Sequence, residues 1–200
     1  YGTASIGYKD FIYVDVTGRN DWSSALPSDN RSYFYSSYGV SFVLTELVKS
    51  IPKDWLSYAK FRISYAKVGN DTGFDQLLNG FTYNNSYLGD MAWFESENKR
   101  KTNALKPEST TSFETGFDLR FLKDRASLSF TYYNKNTKNQ ILTSTINGVS
   151  GYGEALFNAG EVKNWGYEVT LGVVPFRNKD WEWKVDINWA KNNSEVVSLA

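Results

Sequence analysis

Few side chains in this sequence have the types and spacing that catalysis or metal binding requires. The chain contains no His and no Cys, so the commonest general base, the thiolate nucleophile and the usual zinc ligands are missing. The segment NDTGFD at 70–75 is rich in oxygen ligands but lacks the full spacing and the terminal Glu of a calcium loop. NGVSGYG at 147–153 is glycine-rich, but its spacing is wrong for a phosphate loop. We therefore expect no enzyme activity, no catalytic residue, no metal and no cofactor.

Charged side chains occur where they could pair instead. In GRNDW, residues 18–22, Arg19 and Asp21 could form a charge-assisted pair at the root of a loop, with Trp22 anchored at an interface. A second set alternates with apolar residues on two segments and should pair across strands; it comprises Lys60, Arg62, Glu114, Asp118 and Arg120. These pairs indicate a hydrated wall rather than a reactive centre.

Composition narrows the class of protein. The 22 basic and 22 acidic residues balance, so no charge excess indicates nucleic acid as a partner. Apolar runs are far shorter than the roughly 20 residues of a membrane-spanning helix. Aromatic residues make up 17% of the chain, an excess that needs an explanation. The first residues are typical of the middle of a strand, so we expect an internal segment of a longer protein.

Period-two alternation recurs along the chain and predicts strands with one apolar and one polar face. About eight strands are expected, near residues 1–8, 11–19, 34–46, 58–69, 108–122, 125–136, 161–176 and 181–192. One apolar face should carry Ile12, Val14, Phe61, Phe117, Phe130, Val169 and Val185.

The connections between these strands alternate in length. They run to about 2, 14, 11, 38, 2, 24 and 4 residues. The first, third, fifth and seventh connections are therefore each shorter than the connections on either side of them. Antiparallel up-and-down strands place alternate connections at opposite ends, and transmembrane barrels trim one end in this way. The short turns should include Lys9-Asp10 and Lys123-Asp124.

Strand length and aromatic placement favour a membrane over water as the solvent of the apolar face. Most segments approach the roughly 9–11 residues that a tilted strand needs to cross a bilayer. Aromatic residues gather at segment ends, as in the girdles of membrane barrels. A soluble antiparallel sheet with one buried face also alternates, and the aromatic residues could instead form a platform for sugars.

Several stretches resemble the barrel of the SusC/RagA family of TonB-dependent outer-membrane transporters. They are DVTGRNDWSSALP at 15–27, SYFYSSYGVSFVLTEL at 32–47, WLSYAKFRISYAKVGND at 55–71, the stretch beginning LKPESTTSFETGFDLRFL at 105, SGYGEALFNAGEVKNWGYEVTLGVVPF at 150–176, and WEWKVDINWAKNNSEVVSL at 181–199. One departure is YSSYGVSF, where the family pattern has Pro after the first Tyr.

The resemblance implies an all-β, antiparallel, up-and-down transmembrane barrel of about 22 strands with a plugged lumen. Residues 1–200 would be part of that barrel domain, and the plug and N-terminal domains would be absent from this chain. The implied function is import of glycans or oligosaccharides across the bacterial outer membrane. TonB would supply energy through the missing N-terminal part, and a SusD-like lipoprotein would close the extracellular mouth.

Alternatives to this function remain open at this stage. They are import of peptides by the same family, a soluble extracellular carbohydrate-binding β-domain, and a small complete barrel. No substrate-binding residue can be assigned from the sequence. The loops at 70–106, which contains Trp93, Phe94, Glu95 and Glu97, and at 137–160 are the surfaces expected to meet a substrate or a lid protein.

Overall fold

The structure, a computed structural model, describes residues 1–87 and 91–199 and is dominated by one antiparallel sheet. The sheet has eight strands, each hydrogen-bonded to the next in the order in which they are named here. Its strands are β1 (Gly2–Tyr8), β2 (Ile12–Trp22), β3 (Ser32–Val43), β4 (Leu56–Asn70), β8 (Glu108–Phe121), β9 (Ala126–Lys138), β12 (Glu161–Arg177) and β13 (Glu182–Ser198). The expected up-and-down arrangement of eight strands is confirmed.

The remaining elements lie in the connections. A short helix, α1 (Leu44–Leu47), follows β3. The connection from β4 to β8 holds β5 (Phe81–Tyr87), β6 (Met91–Ser96) and β7 (Lys99–Arg100), and the connection from β9 to β12 holds β10 (Ile141–Thr145), a 3-10 helix (Gly148–Ser150) and β11 (Glu154–Asn158). β5 pairs with β6, and β10, β11 and β7 form a second small sheet. Within the described part of the chain, no helix is long and apolar enough to cross a membrane.

The strand register separates apolar and polar side chains into rows. One row of directly paired positions crosses seven strands and is wholly apolar: Ile12, Phe42, Phe61, Phe117, Phe130, Val169 and Trp189. The adjacent row, one residue along each strand, is mostly polar: Tyr13, Ser41, Arg62, Gly116, Thr131, Glu168 and Ala190. Successive side chains point to opposite faces, so the sheet has one apolar face and one polar face. The seven residues expected on one apolar face all lie there.

The described elements leave the apolar face uncovered except at one end, where Leu44 of α1 borders Phe42, Phe61 and Phe117. Large side chains on this face are exposed, with Ile187 at 56% and Trp189 at 53% of their full area. The rings of Phe117 and Phe130 stack across neighbouring strands, with their centroids 5.3 Å apart.

Two of the short turns have the expected residues in the conformation that a tight hairpin needs. Lys9 and Asp10 have φ of 47° and 58°, and Lys123 and Asp124 have φ of 58° and 65°. Two successive central residues with positive φ are typical of the type I′ turn, whose twist matches that of the flanking strands; in the second turn Leu122, just before them, also has a positive φ of 55°. These hairpins form without the glycine that such turns usually contain. We call their end of the sheet the short-turn end and the opposite end the long-loop end.

Two sequence-based boundaries were wrong. All of GRNDW lies inside β2 rather than at the start of a loop, and β3 ends at Val43 instead of continuing to residue 46, because α1 begins at Leu44. As a result the second connection, residues 23–31, is shorter than the third, residues 44–55. The strict alternation of lengths therefore fails at that point, although the short-turn and long-loop ends stay distinct elsewhere. The two longest connections are also not irregular, since β5–β7 and β10–β11 lie within them.

Aromatic side chains mark both ends of the sheet. At the long-loop end Trp22 and Phe34 are 71% and 63% exposed, and at the short-turn end Trp55 and Trp181 are 62% and 74% exposed. Rings with an apolar body and a polar edge suit the boundary between lipid and water, so their placement agrees with the expected girdles.

Candidate functional site

The polar face of the sheet carries a network of charges and hydroxyls. Arg62 lies 3.7 Å from Asp118 on the neighbouring strand, and its second terminal nitrogen donates to the hydroxyl of Thr131 at 2.6 Å. Glu114 pairs with Lys135 at 3.5 Å. The sequence placed Arg62, Asp118 and Glu114 correctly on one wet face, but it did not identify Lys135 as the partner of Glu114.

Two other predicted members of this network behave differently. The Arg120 guanidinium lies over the ring of Tyr58 at 5.2 Å and forms no ion pair with the described residues. Lys60 likewise has no ion-pair partner in the described ranges, and it lines a polar hollow of about 440 Å³ with Asp15, Arg62 and Glu168. This arrangement offers charges and hydrogen bonds to a polar solute. It contains no paired nucleophile and base.

Large side chains on the polar face lie flat over glycines. Arg62 is directly opposite Gly116 and Tyr133 is opposite Gly166. A Cβ on Gly116 would overlap the carbonyl oxygen of Phe130 and come 3.2 Å from Nε of Arg62. Glycine at these positions therefore lets a long side chain follow the wall instead of projecting from it.

The polar face of β2 and β3 near the long-loop end holds the predicted Arg19–Asp21 pair. Nε of Arg19 donates to Oδ1 of Asp21 at 2.8 Å, and the hydroxyl of Tyr35 donates to the other carboxylate oxygen. The rings of Tyr35 and Tyr33 stack with centroids 6.0 Å apart. The pair therefore fixes the end of a strand, with an aromatic stack beside it.

The long-loop end is covered by a separate layer, formed by residues 23–31, 71–107 and 139–160 and here called the loop layer. Its core is Leu26, Leu105 and Leu156, one from each connection, and these side chains are 1%, 0% and 6% exposed. Polar bonds join the same connections. The side chain of Asn30 donates to the carbonyl of Leu105 at 3.0 Å, and that of Asn158 accepts from the amide of Lys106 and donates to its carbonyl, both at 2.7 Å.

A nearly buried lysine lies inside the loop layer. The Lys101 side chain is only 7% exposed and contacts Glu97 at 2.8 Å and Asp75 at 2.9 Å. The hydrogen bond from Lys101 lowers the pKa of Glu97 below its usual value, and the hydrogen bonds to Glu97 and then Asp75 raise the pKa of Lys101. Asn79 donates to Glu97 at 3.2 Å. Glu97, expected at a surface that meets a partner, is therefore engaged with Lys101 within the loop layer, and its side chain is 29% exposed.

A cleft of about 550 Å³ opens beside this cluster. It is bordered by 77–79, by 100–103 and by Ala155, Leu156 and Phe157 of β11. Its lining is mixed, with apolar residues such as Leu77 and Leu78 beside the polar side chains of Asn79, Arg100 and Asn103. The cleft and the loop-layer core contain residues from both of the loops that the sequence singled out.

A hairpin of β5 and β6 extends from the same loop. Phe81, Tyr83 and Phe94 share one of its faces by register, and the rings of Tyr83 and Phe94 are 5.5 Å apart. Phe81 and Phe94 are 74% and 71% exposed. A two-stranded hairpin is marginally stable alone, so this aromatic face is suited to contact with another surface.

The described residues contain no cluster of three or more His, Cys, Asp or Glu that could hold a metal ion. Asn70 and Asp75, at the two ends of the oxygen-rich segment, bind other groups. Asn70 donates to Glu108 at 3.2 Å and Asp75 accepts from Lys101 at 2.9 Å.

Comparison with known proteins identifies the family to which this architecture belongs. The family model described as "TonB dependent receptor-like, beta-barrel" matches residues 1–196. The chain belongs to this family.

Relatives of the TonB-dependent receptor chain share its sequence over its whole length. TonB-dependent receptor P26 of Formosa agariphila is 26% identical, and the match covers 100% of this chain and 20% of the relative. TonB-dependent receptor SusC of Bacteroides thetaiotaomicron is 28% identical, with 100% and 20% covered. A solved structure of the RagAB peptide transporter matches with a TM-score of 0.88 at 26% identity, covering 98% of this chain and 22% of that one. The chain thus spans about a fifth of the length of these relatives.

These matches confirm the resemblance to the SusC/RagA family and the location in the bacterial outer membrane. The sheet is a segment of a larger TonB-dependent receptor barrel, and one apolar face is what a barrel in lipid requires. In such barrels the long loops are extracellular and the short turns periplasmic.

Sequence reasoning missed the features that depend on distant contacts. Lys101 sits among polar residues with no local sign of burial, and the loop-layer core takes one leucine from each of three connections. A partial signal existed at two of the three positions: Leu26 and Leu105 are the only large apolar residues in the segments 23–31 and 98–112, whereas Leu156 stands beside Phe157.

Proposed function

We propose that the protein is an active outer-membrane importer in which residues 1–200 supply part of the barrel wall and extracellular loops. The plug and the N-terminal domains would lie outside this chain. The observation that carries the proposal is the pair of adjacent rows across seven strands, one apolar and one polar, on a chain that belongs to the TonB-dependent receptors. Such a wall encloses a hydrated path through lipid and has no need of catalytic groups.

The proposal includes two partners. TonB would energise transport through the part of the protein outside this chain. A SusD-like surface lipoprotein would close the extracellular mouth, and the aromatic face of the β5–β6 hairpin is the surface that we assign to it. Support comes from the similarity to SusC and to the RagAB peptide transporter.

The cargo is proposed to be a glycan or oligosaccharide, or alternatively a peptide. The glycan assignment goes with the similarity to SusC. The peptide assignment is favoured by the similarity to the RagAB peptide transporter. The third idea, a soluble carbohydrate-binding domain, is disfavoured by the uncovered apolar face, because a soluble sheet would bury it.

Uptake by cells that produce the full-length receptor tests the transport function. Accumulation of a labelled oligosaccharide or oligopeptide should require the receptor and should stop when the proton gradient is dissipated. Uptake that continues without the gradient would contradict active import, because a passive pore needs no TonB.

Cysteine labelling tests the assignment of the two faces. The chain has no Cys, so Ile187→Cys and Asn188→Cys, made in a full-length receptor without other cysteines, place a thiol on opposite faces. A membrane-impermeant maleimide should label Asn188→Cys far faster in intact membranes. Equal labelling of both would show that the apolar face is not covered by lipid.

A further inference from the structure

The charged side chains on the apolar face of the sheet all lie in its long-loop half. Between the wholly apolar row and the short-turn end, none of the described strand residues on that face carries a charge. Beyond that row, towards the long-loop end, the same face carries four lysines and two glutamates. They are Lys67, Lys138, Lys163, Lys191, Glu161 and Glu195. The apolar face is therefore uncharged in one half and has an excess of positive charge in the other.

Three successive rows on this half show how the side chains change towards the long-loop end. The first row is Ile63, Thr115, Tyr132, Tyr167 and Lys191, the second is Tyr65, Phe113, Asn134, Trp165 and Asn193, and the third is Lys67, Thr111, Asn136, Lys163 and Glu195. Aromatic rings make up half of the first two rows and none of the third. In a membrane barrel the aromatic girdle marks the boundary between hydrocarbon and headgroups. In such a wall the third row would lie at the level of the lipid headgroups.

Most of these lysines have no anionic partner. Lys138 pairs with Glu161 at 3.5 Å, so those two charges cancel. Lys163 is opposite Glu195 in the register, yet the two form no ion pair in the described structure. The lysines without an ion pair to any described residue are Lys67, Lys163 and Lys191. Three cations therefore stand against one carboxylate, and clusters of this kind attract anionic headgroups.

Two of the unpaired lysines, Lys163 and Lys191, lie on adjacent strands. Lys191 is opposite Tyr167, four residues along β12 from Lys163, so the two Cα atoms are about 14 Å apart at the usual strand spacing and rise. Asn193 and Trp165 are the paired residues between them. The side-chain amide of Asn193 forms no hydrogen bond with the described residues, and long lysine side chains extend towards headgroups. Two ammonium groups therefore flank a free amide and an aromatic ring.

These groups match a lipid headgroup that combines phosphate with a sugar. Lysine binds phosphate as a point charge, and an asparagine amide both donates to and accepts from hydroxyl groups. The apolar residues of the same face offer a surface for acyl chains directly beside the headgroup. The long-loop end of such barrels is extracellular, so the lipid would belong to the outer leaflet.

We propose that the surface formed by Lys163, Lys191, Asn193 and Trp165 binds a membrane lipid whose headgroup is a phosphorylated sugar. The lysines contact the phosphate, and the amide of Asn193 binds a sugar hydroxyl. The inference rests on the proposed placement of the sheet in the wall of an outer-membrane importer. It assigns a role to the outside of that wall rather than to the path of the cargo.

Lipid binding to the full-length receptor tests the inference. The receptor is stripped of bound lipid in a neutral detergent and titrated with diphosphoryl lipid A, and native mass spectrometry measures the bound fraction. The comparison lipids are lipid A without its phosphates and phosphatidylglycerol, which has a phosphate but no sugar. Removal of the phosphates should weaken binding about fivefold or more, and phosphatidylglycerol should bind more weakly than lipid A.

Matched variants locate the site. Lys163→Gln and Lys191→Gln should each weaken lipid A binding about fivefold. Lys135→Gln is the control and should leave binding unchanged, because Lys135 is opposite Asn164 on the polar face, at the height of Lys163. Glu195→Gln should strengthen binding, because it removes a negative charge that repels the phosphate. An unchanged melting temperature shows that a variant with weakened binding is folded.

The possible failures separate the inference from the proposed function. Equal binding of lipid A with and without phosphates, or equal effects of Lys163→Gln and Lys135→Gln, would overturn the lipid site. Equal affinity for phosphatidylglycerol would overturn the assignment of a sugar headgroup. Energy-dependent uptake by a receptor with any of these results would leave the importer standing. Loss of uptake of every solute by a receptor that binds lipid A as expected would overturn the proposed import and leave the lipid site in place.

Discussion

The sheet and the loop layer are built on opposite principles although one chain forms both. Apolar and polar side chains alternate along the eight strands. Large side chains on the apolar face are exposed. The loop layer has little alternation, yet it contains the best-buried large side chains in the described residues, Leu26 and Leu105. The sheet is therefore suited to a solvent of lipid, and the loop layer folds as a small water-exposed domain does.

The difference teaches where each region obtains its stability. In lipid every backbone polar group must be paired within the protein, which a closed ladder of long strands provides without a core. Loops in water must instead bury apolar side chains to offset their ordering entropy. We expect changes in one region to leave the other largely intact, and four predictions examine this separation.

The largest expected effect is local to the loop layer. Leu105→Ala removes a side chain that is 0% exposed, and large-to-small changes at such sites cost about 2–5 kcal/mol. The free energy of opening the loop layer should fall by this amount, measured by hydrogen exchange and limited proteolysis of the full-length receptor. Leu78→Ala, at a 72% exposed site in the same connection, is the control and should change little. Equal loss of protection throughout the sheet would refute the separation of the two regions.

A charge on the apolar face should destabilise the sheet. Val169→Arg places a guanidinium in the apolar row, which costs about 2–4 kcal/mol near the bilayer midplane. Reversible unfolding of the receptor from liposomes measures it. Glu168→Arg, one residue away on the polar face, is the matched control and should cost far less. An equal cost for both variants would mean that the two faces do not differ in their surroundings.

Adding a methyl group where the polar face is closely packed should lower the unfolding free energy by a smaller amount. Gly116→Ala forces a Cβ against the Phe130 carbonyl and Arg62, and such overpacking costs about 1–3 kcal/mol. At Gly39 the nearest atom to a new Cβ is 3.8 Å away, so Gly39→Ala should be nearly neutral. The same unfolding assay compares the two alanines. Similar values at both would show that the wall yields easily at Gly116.

The sheet could be predicted because its information is local. Each strand shows its own alternation, so Phe117 and Phe130 could be placed on one face without knowledge of their contact. Boundaries were less certain: Arg19 and Asp21 are compatible with a loop root, but pairing with β3 extends the strand through both residues. Local chemistry does not show where a ladder stops.

The loop layer could not be predicted because its contacts join distant residues. Asn30 bonds to Leu105, which is 75 positions away, and Lys106 bonds to Asn158 across 52 positions. Nothing near Asn158 in the sequence indicates that its side chain bridges two connections. The family resemblance supplied the barrel and its partners, but it assigned no residue of the cleft.

The smallest effect concerns pH and the Lys101 cluster. The pKa of Glu97 is lowered in the folded state, so its contribution is complete above its unfolded pKa and is lost as pH falls through the folded pKa. The pKa of Lys101 is raised, so its contribution is complete below its unfolded pKa and is lost as pH rises through the folded pKa. Protection of the loop layer from protease should therefore be constant between about pH 5 and 10 and decline outside that window. Lys101→Met should increase cleavage roughly two- to fivefold within the window. Lys99→Met is the control, because the Lys99 ammonium donates to the neutral side chain of Gln76 at 3.1 Å and forms no ion pair with the described residues. A Lys101→Met receptor with unchanged cleavage and an unchanged pH profile would show that the leucine core holds the loop layer without the buried charges.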